Sequence, residues 1–170
     1  MSGVREQKKQ QTRKAIIDAA VKLFTEKGFE QTSMDELARA AAVGKGTIYG
    51  YFKAKDEIFL AYCEAEIEFA FAALDRKLDE EAPLLDQLVA YMMGQLIFVT
   101  DNREFGRIFA REMIFPGENT RTRSRELDMR YLAKLGEVLG RAQQRGELPK
   151  ESDLLLLIAH LHGLYILVLS

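Results

Sequence analysis

Thr47 and Tyr49, with Lys45 ahead of them and glycines at 46 and 50, are the residues of this chain best suited to meet a nucleic acid. A hydroxyl and a phenol can hydrogen-bond base edges, and a lysine can pair with phosphate. Glycine lets a backbone come close to a groove. The stretch that must position them is Ser33 to Lys55, S-M-D-E-L-A-R-A-A-A-V-G-K-G-T-I-Y-G-Y-F-K-A-K. It reads as two short helices joined by Ala42-Val43-Gly44, with Gly44 expected to take the unusual backbone angles of the corner. Ser33 and Glu36, three apart, can form a capping box at the start of the first helix. Leu37, Ala38 and Ala41 share a face there. On the second helix Ile48 and Phe52, at i and i+4, can anchor it to the first. Gly46, Thr47, Tyr49 and Gly50 are then left to face outward, as a helix-turn-helix requires of the helix that enters the major groove.

Here the chain resembles a known family. V-G-K-G-T-I-Y-G-Y-F-K-A-K-D-E-I looks like the signature of the TetR family of bacterial transcriptional regulators. The upstream R-K-A-I-I-D-A-A-V-K-L-F-T-E-K-G-F-E-Q-T-S-M-D-E-L-A resembles that family's first helix and the start of its second. The motif similarity runs over residues 13 to 59; beyond it the likeness is one of architecture. The resemblance implies an all-α protein with an N-terminal three-helix DNA-binding domain, residues 1–55, and a larger helical domain, residues 56–170, that dimerises and receives a small molecule. It implies operator contacts from Thr32, Ser33, Lys45, Gly46, Thr47, Tyr49, Gly50, Tyr51 and Lys55. Within that set Lys45, Lys55 and Tyr51 are expected to position the protein, with Lys53 and basic residues ahead of Arg13. Thr47 and Tyr49 are expected to read bases. Gly50 departs from the family pattern, in which an aromatic or polar residue is common.

Charge divides the chain in the same way. Residues 1–55 hold 11 Lys and Arg against 6 Asp and Glu, net +5, and the remainder 13 against 20, net −7, which together give the −2 of the whole. A basic module joined to an acidic one is the asymmetry expected when one end meets phosphate. With 170 residues, 48% of them apolar, the chain can bury a full core. A single cysteine, Cys63, excludes an internal disulfide and a multi-cysteine metal site, and suits a cytoplasmic protein. The N-terminus lacks the apolar stretch of a secretory signal. No run reaches the roughly 18 apolar residues of a membrane span.

Almost everything else reads as helix. Ile16, Ala20, Leu23 and Phe24 make an apolar stripe over Arg13–Lys27, with Gly28 placed to end it. Asp56 to Glu81 reads as one long helix with Ile58, Tyr62, Phe69 and Ala72 on its apolar face. Helices follow over Leu84–Thr100 and Arg103–Phe115, then a polar loop to Arg123, a helix over Ser124–Arg145 closed by Gly146, and a last helix capped by Ser152. That last one, D-L-L-L-L-I-A-H-L-H-G-L-Y-I-L-V-L-S, is apolar nearly all round and must be covered. Leu157, Leu161, Leu164 and Val168 form the seam expected at a homodimer interface. The resemblance implies at least one further helix, so cover is expected from such a helix or from a partner subunit.

Of 16 Phe and Tyr residues, 11 follow residue 55. Most are simplest as core. Polar-tipped residues nevertheless interrupt the apolar faces, and ligand sites in bundles are apolar with a few oriented polar groups. Tyr62, Tyr91, Phe98, Phe109, Met113 and His162 are the candidate lining of a ligand pocket. Catalytic and metal patterns are weak. His160 and His162 lie about 200° apart on a helix and cannot chelate from one face. No H-E-x-x-H, P-loop or G-x-S-x-G motif occurs. Gly136-x-x-x-Gly140 reads as close helix packing, the R-T-R-S-R run at 121–125 as a solvated loop, and Glu64, Glu66 and Glu68 as a wet helix face. The sequence therefore reads as a regulator and not an enzyme, with no cofactor and no metal: a homodimeric repressor released from double-stranded operator DNA by a small apolar or amphipathic ligand. The alternative is a DNA-binding adaptor of the same fold that answers to a protein partner.

Overall fold

The first helix, α1 (Ser2–Lys27), is built on Ile16, Ala20 and Phe24, which the 3.6-residue period stacks on one buried face. It begins at Ser2, well ahead of Arg13, because its leading residues are Glu, Gln, Lys and Arg, all good helix formers. From Gly3 to Gln11 every residue is exposed. Gly28 ends the helix at φ +93°, its N–H donating to Phe24 O at 3.0 Å. The computed structural model describes residues 2–77 and 81–169, except for the side chains of residues 2, 74–77, 95, 97–99 and 169. Among the described residues it is all helical: α2 (Met34–Ala40), α3 (Lys45–Tyr51), α4 (Lys55–Lys77), α5 (Leu84–Asp101), α6 (Arg103–Ile114), α7 (Arg121–Gln144) and α8 (Leu154–Leu169) follow α1.

These helices form two units. The first comprises Met1–Cys63 and Gly117–Thr120, and the second Glu64–Pro116 and Arg121–Ser170; α4 contributes to both. In the first unit Phe24, Phe29 and Phe59 form an aromatic cluster, with Phe24 and Phe29 centroids 4.9 Å apart and Phe29 and Phe59 edge-on at 5.8 Å. Such pairs each add roughly 0.5–1.5 kcal/mol beyond their buried area. Leu37, Ala38, Ile48 and Phe52 complete this core.

In the second unit α7 and α8 close on α5 and α6 around a tyrosine stack. Tyr131 lies 5.2 Å from both Tyr91 and Tyr165, centroid to centroid, and Tyr91 donates its hydroxyl to Tyr131 O at 3.0 Å. Leu135 and Leu139 are buried with them. Asn102 caps α6, its side chain accepting from the N–H groups of Glu104 and Phe105. Gln143 donates to the carbonyls of Pro149, Lys150 and Ser152, which fixes the turn into α8.

Several sequence expectations are corrected. The left-handed residue of the helix-turn-helix corner is Ala42, at φ 53°, and Gly44 is extended at φ −69°, ψ 151°. Ala42 N–H bonds Arg39 O and Val43 N–H bonds Ala38 O, the paired bonds of a Schellman ending. That motif puts the positive φ directly after α2, two residues before Gly44. Phe69 is 68% exposed and Ala72 is exposed; the fully buried part of α4 is its start, Ile58 to Cys63, and further along it is Phe71 that packs inward, stacked on Tyr91 at 5.5 Å. Glu81 sits in a turn. The R-T-R-S-R run is helical, as the beginning of α7, and Arg123 hydrogen-bonds Glu64. Asp153, not Ser152, caps α8 by accepting Leu156 N–H at 3.1 Å.

Candidate nucleic-acid interface and effector cavity

The interface is set by α2 before α3 is reached. Ser33 accepts from Glu36 N–H through its hydroxyl, and Glu36 accepts Ser33 N–H at 2.9 Å, so the capping box is complete. Lys27 pairs with the same carboxylate, and that hydrogen bond, with those from Ser33, lowers the Glu36 pKa to about 2. Thr32 is buried, its hydroxyl donating to Gly28 O at 2.8 Å, so it braces the turn that leads into Ser33.

Along α3, Ile48 is fully buried while Lys45, Gly46, Thr47, Tyr49 and Gly50 are exposed. One face of the helix thus serves the core, and the opposite one carries the hydroxyl, the phenol and the two glycines. A Cβ placed on Gly46 or on Gly50 would meet nothing within 4 Å, so packing does not require glycine at either place. Lys45 reaches Asp35 at 2.9 Å, an exposed pair whose hydrogen bond raises the lysine pKa. Lys53 donates to Tyr49 O at 3.0 Å, satisfying a carbonyl near the C-terminus of α3. Lys55 is turned to the loop after α1: its ammonium donates to Phe29 O at 2.8 Å and Glu30 O at 3.2 Å. Tyr51 is half-buried and, with Gly50, borders an open groove of about 410 Å³ whose other wall is Arg5, Lys8, Lys9 and Thr12 of α1. The sequence reading reached basic residues ahead of Arg13 but not their pairing with Gly50; the i, i+3, i+4, i+7 spacing of that wall was the available signal.

In the second unit a small, partly open cavity of about 20 Å³ lies between Ile67, Phe109, Met113, Leu127, Asp128, Tyr131 and Tyr165. That volume holds about one water. Phe109 and Met113 were expected there. His162 stands beside it, its ring 5.6 Å from that of Tyr131 and its Nε2 3.3 Å from Asp128 Oδ1. Tyr91 is one ring further along the stack, hydrogen-bonded to the Tyr131 carbonyl. Tyr62 belongs to the first unit, packed 6.5 Å from Phe59, and the Phe98 side chain lies outside the described residues. Among the described residues, neither the Tyr131 hydroxyl nor His162 Nδ1, both buried, finds a hydrogen-bond partner. Burial, with Asp128 second, pushes the Tyr131 pKa up to about 12, so the phenol is a neutral donor at ordinary pH.

Leu157 and Leu161 turn toward the tyrosine core, whereas Leu164 and Val168 are 54% and 65% exposed. The seam expected on α8 is therefore divided. The outward face instead runs through Leu156, Leu164 and Leu167.

Residues 16–62 match the family model of the bacterial regulatory proteins, tetR family. The chain is 31% identical to the solved structure of MexZ, a repressor responsible for antibiotic resistance in Pseudomonas aeruginosa, covering 94% of this chain and 81% of that one with a TM-score of 0.60. The chain belongs to the TetR family. It is also similar to the structure of the transcriptional regulator FadR from Bacillus subtilis in complex with stearoyl-CoA, at 25% identity and a TM-score of 0.72, over 91% of this chain and 83% of that one. Against the fatty acid metabolism regulator protein of Bacillus subtilis (strain 168), identity is 25% over 81% of this chain and 71% of the relative. Two matches of higher identity, at 53% and 45%, are local, each spanning 25% of the relative concerned. The matched residues take in α2 and α3, which are therefore the helix-turn-helix of a TetR-family regulator. Among the described residues no helix is long and apolar enough to cross a membrane.

Proposed function

We propose that this TetR-family regulator is a homodimeric repressor whose hold on operator DNA is released by an amphipathic ligand with an acyl chain. The observation that carries the DNA half is the division of α3 between a fully buried Ile48 and an exposed Gly46, Thr47, Tyr49 and Gly50. Residues 1–55 serve as the DNA-binding module in this reading and residues 56–170 as the effector and dimer module. Thr47 and Tyr49 read bases. Lys45 and Tyr51 hold the backbone, and Thr32, Ser33 and Lys55 act by fixing the turn that presents α3. In a dimer the two recognition helices sit about 34–36 Å apart on DNA.

The effector half is supported by the cavity beside Phe109, Met113 and Tyr131, whose buried phenol lacks a partner among the described residues. Likeness to a regulator solved with stearoyl-CoA supports an acyl chain as the occupant. Because the cavity is only about 20 Å³, binding must open it, and Met113 has the flexibility to move aside. Ligand binding would then favour a second arrangement of the helical unit, passed to the DNA-binding module through α4. The outward leucines of α8 support a dimer interface.

The adaptor reading is favoured by the same small volume, since a filled core needs no ligand. One experiment separates the two. A duplex enriched from a randomised pool is bound by the protein, and fatty acids and acyl-CoA thioesters of graded length are added. Release of the duplex with a chain-length optimum supports the repressor. No release and no thermal stabilisation by any chain length would turn the assignment to the adaptor. Replacing Thr47 or Tyr49 by Ala should cost roughly 1–3 kcal/mol on the enriched duplex and relax preference at one position.

A further inference from the structure

Three residues that line the small cavity of the second unit also flank His162. Its Nε2 lies 3.3 Å from Asp128 Oδ1, and its ring centre is 5.6 Å from that of Tyr131 and 6.4 Å from that of Tyr165. The rest of the lining is apolar: Ile67 of α4, Phe109 and Met113 of α6, and Leu127 of α7. The site thus has a polar part and an apolar part, as an amphipathic ligand requires.

Two polar atoms in that part are unpaired among the described residues, the Tyr131 hydroxyl and His162 Nδ1, and both are buried. Buried polar groups are nearly always hydrogen-bonded, and one left unpaired is costly. The two atoms have different roles. Burial keeps the proton on the Tyr131 phenol, so its hydroxyl can donate. Asp128 turns a carboxylate, which only accepts, toward Nε2. The uncharged imidazole therefore carries its single proton on Nε2 and leaves Nδ1 a bare acceptor. A donor on α7 and an acceptor on α8 thus stand on neighbouring rings.

Charge narrows what can meet them. Among the described residues lining the cavity none is lysine or arginine, and Asp128 is the acid there. A phosphate or a bare carboxylate would face that acid with no such cation to offset it. A carboxyl group that brings its proton fits: its carbonyl accepts from Tyr131 and its O–H donates to His162 Nδ1. If the proton passes to Nδ1, the carboxylate accepts from both residues and the two bonds are kept. An ester or thioester has the carbonyl but no proton, so it leaves Nδ1 unpaired. We infer that the effector site selects a free carboxylic acid over its ester or thioester, with His162 as the residue that sets the preference. This rests on the acyl-chain reading above.

The test measures binding to the full chain of lauric and stearic acids, their methyl esters and their CoA thioesters. At matched chain length the acid should bind about 10- to 100-fold more tightly than the ester or thioester, the factor expected when one buried acceptor is left unpaired. His162→Phe keeps a ring and removes the acceptor, so it should abolish that preference. Tyr131→Phe should weaken acid, ester and thioester alike and leave the preference standing, because all three carry a carbonyl. Circular dichroism and melting check that both variants keep the parental fold, and the ligand series on the unaltered chain tests the inference without them. Equal binding of acid and ester, or tighter binding of the thioester, overturns the inference. So does a His162→Phe protein that keeps the parental preference. In each of those cases the acyl-chain reading survives; failure of every compound to bind removes that reading and the inference with it.

Discussion

The ammonium of Lys55 sits 4.5 Å from the centre of the Phe29 ring and donates to that residue's carbonyl at 2.8 Å. It joins the first residue of α4 to the turn between α1 and α2. Phe29 in turn packs on Phe24 and Phe59, so one lysine ties the start of α4 to the aromatic cluster of the DNA-binding unit. At 23% side-chain exposure, its hydrogen bonds are partly shielded from water.

Lys55→Met keeps the apolar stem and removes the donors. Charge-assisted hydrogen bonds contribute about 1.5–3 kcal/mol, so a loss of about 1–3 kcal/mol is expected in urea unfolding. Were the lysine chiefly a phosphate contact, stability would hold and binding to all sequences would weaken alike. Measuring both on the same variant decides between the two roles.

Ala42 occupies the left-handed position of a Schellman ending, a place where glycine is usual. The left-handed conformation costs an L-residue roughly 1–2 kcal/mol. Glycine at this position loses about 0.4–1 kcal/mol through the freedom of the unfolded chain. Ala42→Gly should therefore stabilise the protein, by up to about 1 kcal/mol, against the usual direction of Ala→Gly changes near helices. Ala42→Val should destabilise it, because branching makes the positive φ worse. Paired melting curves test the order Gly, Ala, Val.

Glu36 gives a pH signature. Its pKa is lowered to about 2 by Lys27 first and Ser33 next. A carboxyl depressed on folding contributes stability that is fully present above its unfolded value, near 4.3, and is lost as pH falls through the folded value. The contribution of this capping box should thus fade between about pH 4.5 and pH 2. Glu36→Gln should flatten that part of the stability curve while leaving the rest. An identical acid limb in the variant would mean that another group governs it.

What the sequence displayed was governed by neighbours close in the chain. The capping box of Ser33 and Glu36, the α1 stripe of Ile16, Ala20 and Phe24, and the stop at Gly146 each depend on residues a turn apart, and all are found. Gly146 and Ala42 stand in the same ending motif, yet only the glycine announces it. Phe69 was misplaced because a period of 3.6 predicts a face, not which side of the helix meets a neighbour further along, where Ile67 and Phe71 are the residues that pack. The cavity was half legible: Phe109 and Met113 are apolar and aromatic, as pockets are. Asp128 stands i, i+3 from Tyr131 on α7, a spacing open to view, but its meeting with His162 gave no sign, since that depends on how α7 meets α8.

Tyr131 supplies the last prediction. Its hydroxyl is buried without a partner among the described residues, in a residue only 5% exposed, next to a cavity with room for one water. An unsatisfied buried polar group costs about 1–3 kcal/mol. Such a cost persists where function requires the group. Tyr131→Phe deletes the oxygen and little else. The ligand-free protein should become more stable by about 1 kcal/mol, a rise of roughly 2–4 °C in melting temperature for a chain of this size. An acyl-chain ligand at 100 times its Kd stabilises by about 2.7 kcal/mol in the parent, and at the same concentration this should shrink in the variant because the phenol can no longer donate to the ligand's polar end. The two changes must be opposite in sign. A variant less stable than the parent would mean that the hydroxyl is already satisfied, by a water in the cavity, and has no share in ligand recognition.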